Sequence, residues 1–179
     1  MSNNSNFICD FSADDFTSNH QLEFYKYWLS IKGRREMPSR ADIHPADIVK
    51  ILPHLMLIEK KPDDFVVRLM GTRCAQVLGE GTGKSLCSSQ AIEDVIAQLT
   101  WCAKNKKSYF HTKPLEKLTK KYVKSSALVM PLSNNDDDVN MFVLVHHFFQ
   151  NNKYAVHSSP NNKVHRSAMP KTTHQEYYK

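Results

Sequence analysis

GRREMPSRADIHPADIVKILP, residues 33–53, is where this sequence departs from a generic pattern. Pro38 and Pro45 pin its backbone, and Arg34, Arg35, Glu36, Arg40 and Asp42 crowd it between two apolar runs. Proline fixes φ and pushes the preceding residue out of the helical region, so Met37-Pro38 reads as an extended break. Pro45 reads differently. With His44 before it and Asp47 two residues on, it suits the first position of a short helix over residues 45–52, where the missing N–H is not needed and an acid offsets the helix dipole.

On the amino-terminal side, Ser18-x-x-Gln21 has the form of a capping box. Leu22, Tyr25, Trp28 and Leu29 recur at helical spacing, Phe24, Tyr27 and Ile31 widen the apolar face, and Gly33 ends the helix. Such a face must lie on something, and a sheet is the expected partner. On the carboxyl-terminal side, residues 54–60 (HLMLIEK) and 65–69 (FVVRL) flank Lys61-Pro-Asp-Asp64 and read as a hairpin. Residues 72–78 read as a short helix closed by Gly79, Gly81 and Gly83. Residues 90–103 read as a longer one, with Ile92, Val95, Ile96, Leu99 and Cys102 on one face and charges placed to suit the dipole. Strands are expected at 108–115, 122–132 and 139–149. The last, VNMFVLVHHFF, is apolar almost throughout rather than alternating, the mark of a strand covered on both faces.

Residues 22–86 resemble the opening of a bacterial family of PAS-like domains. The resemblance rests on Tyr27 and Trp28, Gly33-Arg34, Pro38-Ser39-Arg40 with Asp42 and Pro45, Leu52-Pro53 with Leu55, Arg68 with Gly71-Thr72, and a later Gly79 with Thr82-Gly83-Lys84. It implies a sensory or regulatory module of α+β class: a PAS-like five-stranded antiparallel sheet with helices on one face. The helix at 18–32 is then expected to cover the other face.

At 179 residues and 41% hydrophobic, the chain can bury one core. The expected division is a flexible lead-in at 1–17, a PAS-like domain at 18–149 and a basic, disordered tail at 150–179. Cys9, Cys74, Cys87 and Cys102 form no C-x-x-C pair, so reduced thiols are expected. No signal-peptide pattern opens the chain and no apolar run approaches membrane-spanning length, which points to the cytoplasm. The net charge of +6 is uneven: residues 1–103 carry −2, residues 104–124 carry +7, and the tail from Gln150 carries +4.

Several constellations invite chemistry. Gly79-Glu-Gly-Thr-Gly-Lys-Ser85 looks like a phosphate loop, but the first glycine of that motif would fall on Leu78, after a helix rather than a strand, so a glycine-supported turn is the better account. Metal or haem is suggested by nine histidines. His146 and His147 are adjacent in a strand and point to opposite faces, so they cannot chelate together, while His111 can reach the face of one of them. No metal site or catalytic residue is assigned, and no cofactor is named. There is no G-x-S-x-G and nothing that requires an enzyme. Trp101 and His111 are the candidate ligand-binding residues, placed to add polar contacts to an apolar pocket between the sheet and its helices. Trp28, Arg34, Arg35, Arg40 and Asp42 form the candidate interaction surface, since guanidinium groups bind carboxylates and phosphates bidentately, although Arg40 and Asp42 can equally brace the chain. The lysines of residues 104–124 fit a solvated hairpin better than a nucleic-acid surface.

With no output domain attached, a signal is expected to leave by binding another signalling protein. Two arrangements follow: a small-molecule sensor, or a ligand-free docking adaptor that forms a homodimer through its aromatic amino-terminal helix. Nucleic acid and membrane are disfavoured as partners. Deleting residues 151–179 is expected to leave the thermal midpoint unchanged, because the segment has few apolar groups to offset an ordering cost of about 1–2 kcal/mol per residue. A midpoint many degrees lower would show that the tail packs.

Overall fold

The computed structural model describes residues 6–87, 93–115 and 121–151. Its frame is one antiparallel pair, β5 (Tyr122–Leu132) and β6 (Met141–Gln150), both of which are buried along most of their length. β6 also pairs with β2 (Leu55–Lys60), which forms the expected hairpin with β3 (Phe65–Met70), while β5 pairs with β4 (Tyr109–Pro114). The sheet has six strands, not the five expected. The sixth is β1 (Asn6–Ile8), on the outer edge of β4, and the order across the sheet is β1-β4-β5-β6-β2-β3. The residues from Asn6 onward are therefore not a loose lead-in. Phe7 lies opposite His111, and Phe11, 2% exposed, packs 5.5 Å from the rings of Phe16 and Tyr25. The expected tail beyond residue 151 lies outside the described residues.

Coverage of both faces follows from the apolar strands. α1 (Asn19–Lys32) lies against one face, and α2 (Thr72–Leu78) with α3 (Glu93–Asn105) serves the other. Two polar side chains fix α1 to the sheet. Gln21, fully buried, donates through Nε2 to Ser126 Oγ at 3.1 Å and to the Val145 carbonyl at 3.2 Å. Trp28 donates its indole N–H to the Pro131 carbonyl at 3.2 Å. That carbonyl is free because Leu132 turns its own toward β6 and β4 begins only opposite Val129, which also explains how a proline is tolerated inside β5. The expected capping box is half made. Ser18 caps the Gln21 N–H, but the Gln21 side chain accepts from the Thr17 N–H and turns to the sheet.

The stretch after α1 is a buried connector. Gly33 ends the helix at φ 59°, and Met37, fully buried, donates its N–H to Asp136 Oδ1 at 3.2 Å while the Ser133 N–H bonds the Pro38 carbonyl at 2.9 Å. The expected helix at 45–52 is instead two 3-10 turns, Pro45–Ile48 and Leu52–His54. Pro53, in the second turn, has no N–H to offer the Val49 carbonyl, so no α-helix runs on through it. Gly71 then closes on this turn. Its N–H bonds the Leu55 carbonyl at 2.8 Å, and a Cβ there would collide with the Leu52 and Pro53 carbonyl oxygens. The Leu-Pro-x-Leu and Gly-Thr segments are thus one contact.

Trp28→Ala should cost about 3–5 kcal/mol by loss of a filled core site, and Gly71→Ala about 1–3 kcal/mol by overpacking against backbone. Urea denaturation checks both. A Gly71→Ala midpoint equal to that of the parent would mean the close approach is not a constraint.

Candidate functional site

Because strand side chains alternate, register decides what shares a face. Ser126 faces α1, through Gln21, so Ala127 faces α2 and α3. His111 lies opposite Ala127 on β4, and His146 lies opposite Ala127 on β6. The three form one row across the sheet on its inner face, with only the Ala127 methyl between the two imidazoles. The sequence places His111 and one of the adjacent histidines on a common face, and that histidine is His146; the two strands are separated by β5 rather than adjacent.

Tyr109 extends the row along β4. Its ring lies 5.7 Å from His111, 6.4 Å from Trp101 of α3 and 4.9 Å from Phe7 of β1. The two candidate ligand-binding residues, Trp101 and His111, therefore sit on either side of Tyr109. Beyond His146 along β6, Phe148 lies parallel to its ring at 5.6 Å.

These groups are buried and lack partners. Tyr109 is 0% exposed, His111 4% and His146 7%. The Tyr109 hydroxyl, His111 Nδ1 and both nitrogens of His146 find no hydrogen bond among the described residues, and neither does the buried Ser108 hydroxyl. A buried polar group left unsatisfied costs about 1–3 kcal/mol, so a run of them calls for an explanation. Burial first, then the cost of a second charge near His146 and Lys113, pushes the His111 pKa down to about 3. Burial and then His54 lower that of His146 to about 4. Burial and the neighbouring Cys102 raise the Tyr109 phenol well above its ordinary value. The row is uncharged at neutral pH. Among the described residues, no three His, Cys, Asp or Glu side chains converge as metal ligands.

A second histidine group lies at the other face. His20 of α1 stacks on His54 at 4.5 Å, and His147, next to His146, senses His20. Burial first, then His20, lowers the half-buried His54 to about 4.

Of the candidate interaction residues, Trp28, Arg35, Arg40 and Asp42 are engaged within the fold. Trp28 is a core side chain, 2% exposed, and its ring is turned to the sheet rather than to a partner. Asp42 accepts from the Ser39 N–H at 2.7 Å, the Ser39 hydroxyl at 2.9 Å and Arg35 at 2.8 Å; the Ser39 N–H leads in holding its carboxyl below the usual range. Arg35 also caps the Ile31 carbonyl at the end of α1, and Arg40 bonds the Ile43 carbonyl. Arg34 is exposed. Tyr27 completes the brace by accepting from the His44 N–H at 2.9 Å. The glycine-rich segment is a turn that runs back along β3, with the Gly83 N–H on the Val67 carbonyl and Ser85 bridged to Val66, and it follows α2 rather than a strand. An open cleft of about 340 Å³ lies at the opposite end of β6, between the β2–β3 turn and α3, lined in part by Lys61, Asp64, Thr100 and Val139.

An antiparallel sheet whose inner face carries α2 and α3, with polar groups enclosed between them, defines a PAS-like α+β domain. The model of the PAS domain family matches residues 16–144, and the chain belongs to that family. PAS domains are typically sensory modules rather than enzymes. Among solved structures, the chain is similar to one titled "Structure of an RNA-binding Light-Oxygen-Voltage Receptor", at 7% identity and a TM-score of 0.46. The match covers 82% of this chain and 39% of that one. No curated protein matches. Among the described residues, no helix is long and apolar enough to cross a membrane.

The depressed histidines set a pH dependence. In the unfolded chain each imidazole titrates near its ordinary value of 6.5, while in the fold His111, His146 and His54 stay neutral down to about 3, about 4 and about 4. Between these limits the unfolded state binds more protons, so stability is full above pH 6.5 and is lost as pH falls. At pH 5 to 6 the slope of unfolding free energy should correspond to about three protons taken up. Urea midpoints across pH 5 to 8 measure it, and a flat profile would show that the histidines are charged or solvated in the fold.

Proposed function

We propose that this protein is a sensory or regulatory PAS module that binds a small molecule on the inner face of its sheet and signals through protein–protein contact. The observation that carries the reading is the row of Tyr109, His111 and His146, buried and unpartnered. A core selected for stability alone would place apolar side chains there, because replacing unpaired polar groups with apolar ones of similar shape is neutral or stabilising. Polar groups held in reserve are what a binding site needs. Trp101, half-buried beside Tyr109, and Phe148 supply the apolar walls.

The adaptor alternative drew on the aromatic face of the amino-terminal helix. That face is turned inward, and the exposed positions of α1 are Asn19, Glu23, Lys26 and Ser30. A route outward from the ligand site exists in the adjacent histidines: His146 faces the site, while His147 faces His20 at the start of α1. A ligand that shifts β6 at His146 acts directly on the seat of α1.

Native mass spectrometry of freshly purified protein is the test. A bound small-molecule mass is expected, lost in His146→Leu, and the ligand-free His146→Leu protein should melt no lower than the ligand-free parent. Protein that carries no mass, together with a His146→Leu variant that unfolds many degrees lower, would make the histidine a structural group and sink the reading.

A further inference from the structure

The chemistry that the inner-face row accepts is limited by charge. Among the described residues no carboxylate acts on its imidazoles: the groups acting on His111 are His146 and Lys113, and His54 acts on His146. Its phenol faces Cys102 of α3, a buried thiol. Among the described residues, a cation between these imidazoles meets no carboxylate acting on them, and a bare anion loses its water with only the neutral groups of the row to receive it. Whatever binds must add no net charge.

The surroundings add a sign. Lys113 follows His111 on the same face of β4 and is partly buried, with Asp94 of α3 acting on it. Arg73 of α2 lies 5.2 Å from the centre of the Tyr122 ring, which in turn packs 6.1 Å from Phe148. The row thus has cationic side chains at two of its margins. Such a field favours ligand oxygen over ligand ammonium, and the free imidazole lone pairs require a proton donor.

Resting on the reading of this face as a small-molecule site, we propose that its ligand is a weak carboxylic acid, taken up with one proton between His111 and His146, over Ala127. The two carboxyl oxygens accept from the Tyr109 hydroxyl and an imidazole N–H. The added proton lies between the carboxyl group and the lone pair of an imidazole. No bond other than that of the proton is made or broken. Whether the proton rests on nitrogen or on oxygen, each carboxylate drawn from neutral solution brings one proton with it. The apolar part of the acid lies against Phe148 and Trp101.

The test uses the full chain with the carboxylates from acetate to octanoate and benzoate, each beside its primary amide. Thermal shift ranks them, and calorimetry in two buffers of different ionisation heat counts protons. The expected result is that at least one carboxylate raises the melting temperature where its amide does not, with about one proton taken up per ligand and Kd about tenfold weaker at pH 7.5 than at pH 6.5. Tyr109→Phe and His146→Gln, close in shape to the parent residues, should each weaken that binding at least tenfold, and their unliganded melting temperatures report that the fold stands. Amides binding as tightly as acids, or acids binding without proton uptake, would overturn the acid assignment while the small-molecule site stands. Failure of both series overturns the acid assignment as well, and if freshly purified protein also carries no bound mass, the site reading falls with it.

Discussion

β5 and β6 pair from Tyr122 to Leu132 with helices on both faces, and this removes water from nearly every side chain they carry. Everything polar in that layer must then find a partner inside the protein. On the α1 face the demand of β5 and β6 is met at three points, while His54 Nδ1 beside His20 stays unbonded among the described residues. Gln21 satisfies Ser126 and the Val145 carbonyl, and Trp28 satisfies the Pro131 carbonyl where β4 stops short. α1 is thus held by directional bonds as well as by area, which fixes its position along the strands. The connector after it is fixed in turn by Asp42, Tyr27 and the Ser133–Pro38 backbone bond.

On the opposite face the demand is not met. Tyr109, His111 and His146 share that covered layer, yet the protein offers them no hydrogen bonds among the described residues. The contrast between the faces gives the inner row its meaning. The same strands whose Ser126 and Val145 carbonyl are bonded by Gln21 toward α1 carry Tyr109, His111 and His146 unbonded toward α3 among the described residues, at about 1–3 kcal/mol each. Such local conflicts with stability are expected at functional positions. The row also lies one residue from His147 beneath α1, so the inner face and the covering helix are joined through consecutive positions of β6.

Much of this was readable in the sequence, because it depended on local pattern. The continuous apolar run of β6 implied two covered faces, and Trp28 at helical spacing implied the helix that covers one of them. β1 escaped notice because three residues in a polar segment make no periodicity; its identity as a strand comes from pairing with β4, a partner about a hundred residues away. The expected 45–52 helix became two 3-10 turns, Pro45–Ile48 and Leu52–His54, the second holding Pro53. For the proposed site, residue type alone pointed to Trp101 and His111. It did not point to Tyr109, and of the adjacent histidines only strand order singles out His146, by putting Ala127 between it and His111. The arginines near Asp42 looked like a surface because a brace and a recognition patch use the same residue types.

The central claim is that the inner-face histidines are neutral, buried and reserved for a ligand, and imidazole nitrogen spectroscopy addresses it most directly. Long-range nitrogen–proton spectra of the full chain at pH 5.5 should show His111 and His146 as single neutral tautomers. The His146 nitrogens should shift between freshly purified protein and protein refolded from denaturant to remove bound molecules. An imidazolium signal for His146 at that pH, or ring nitrogens identical in the two preparations and bonded to the protein, would contradict the account.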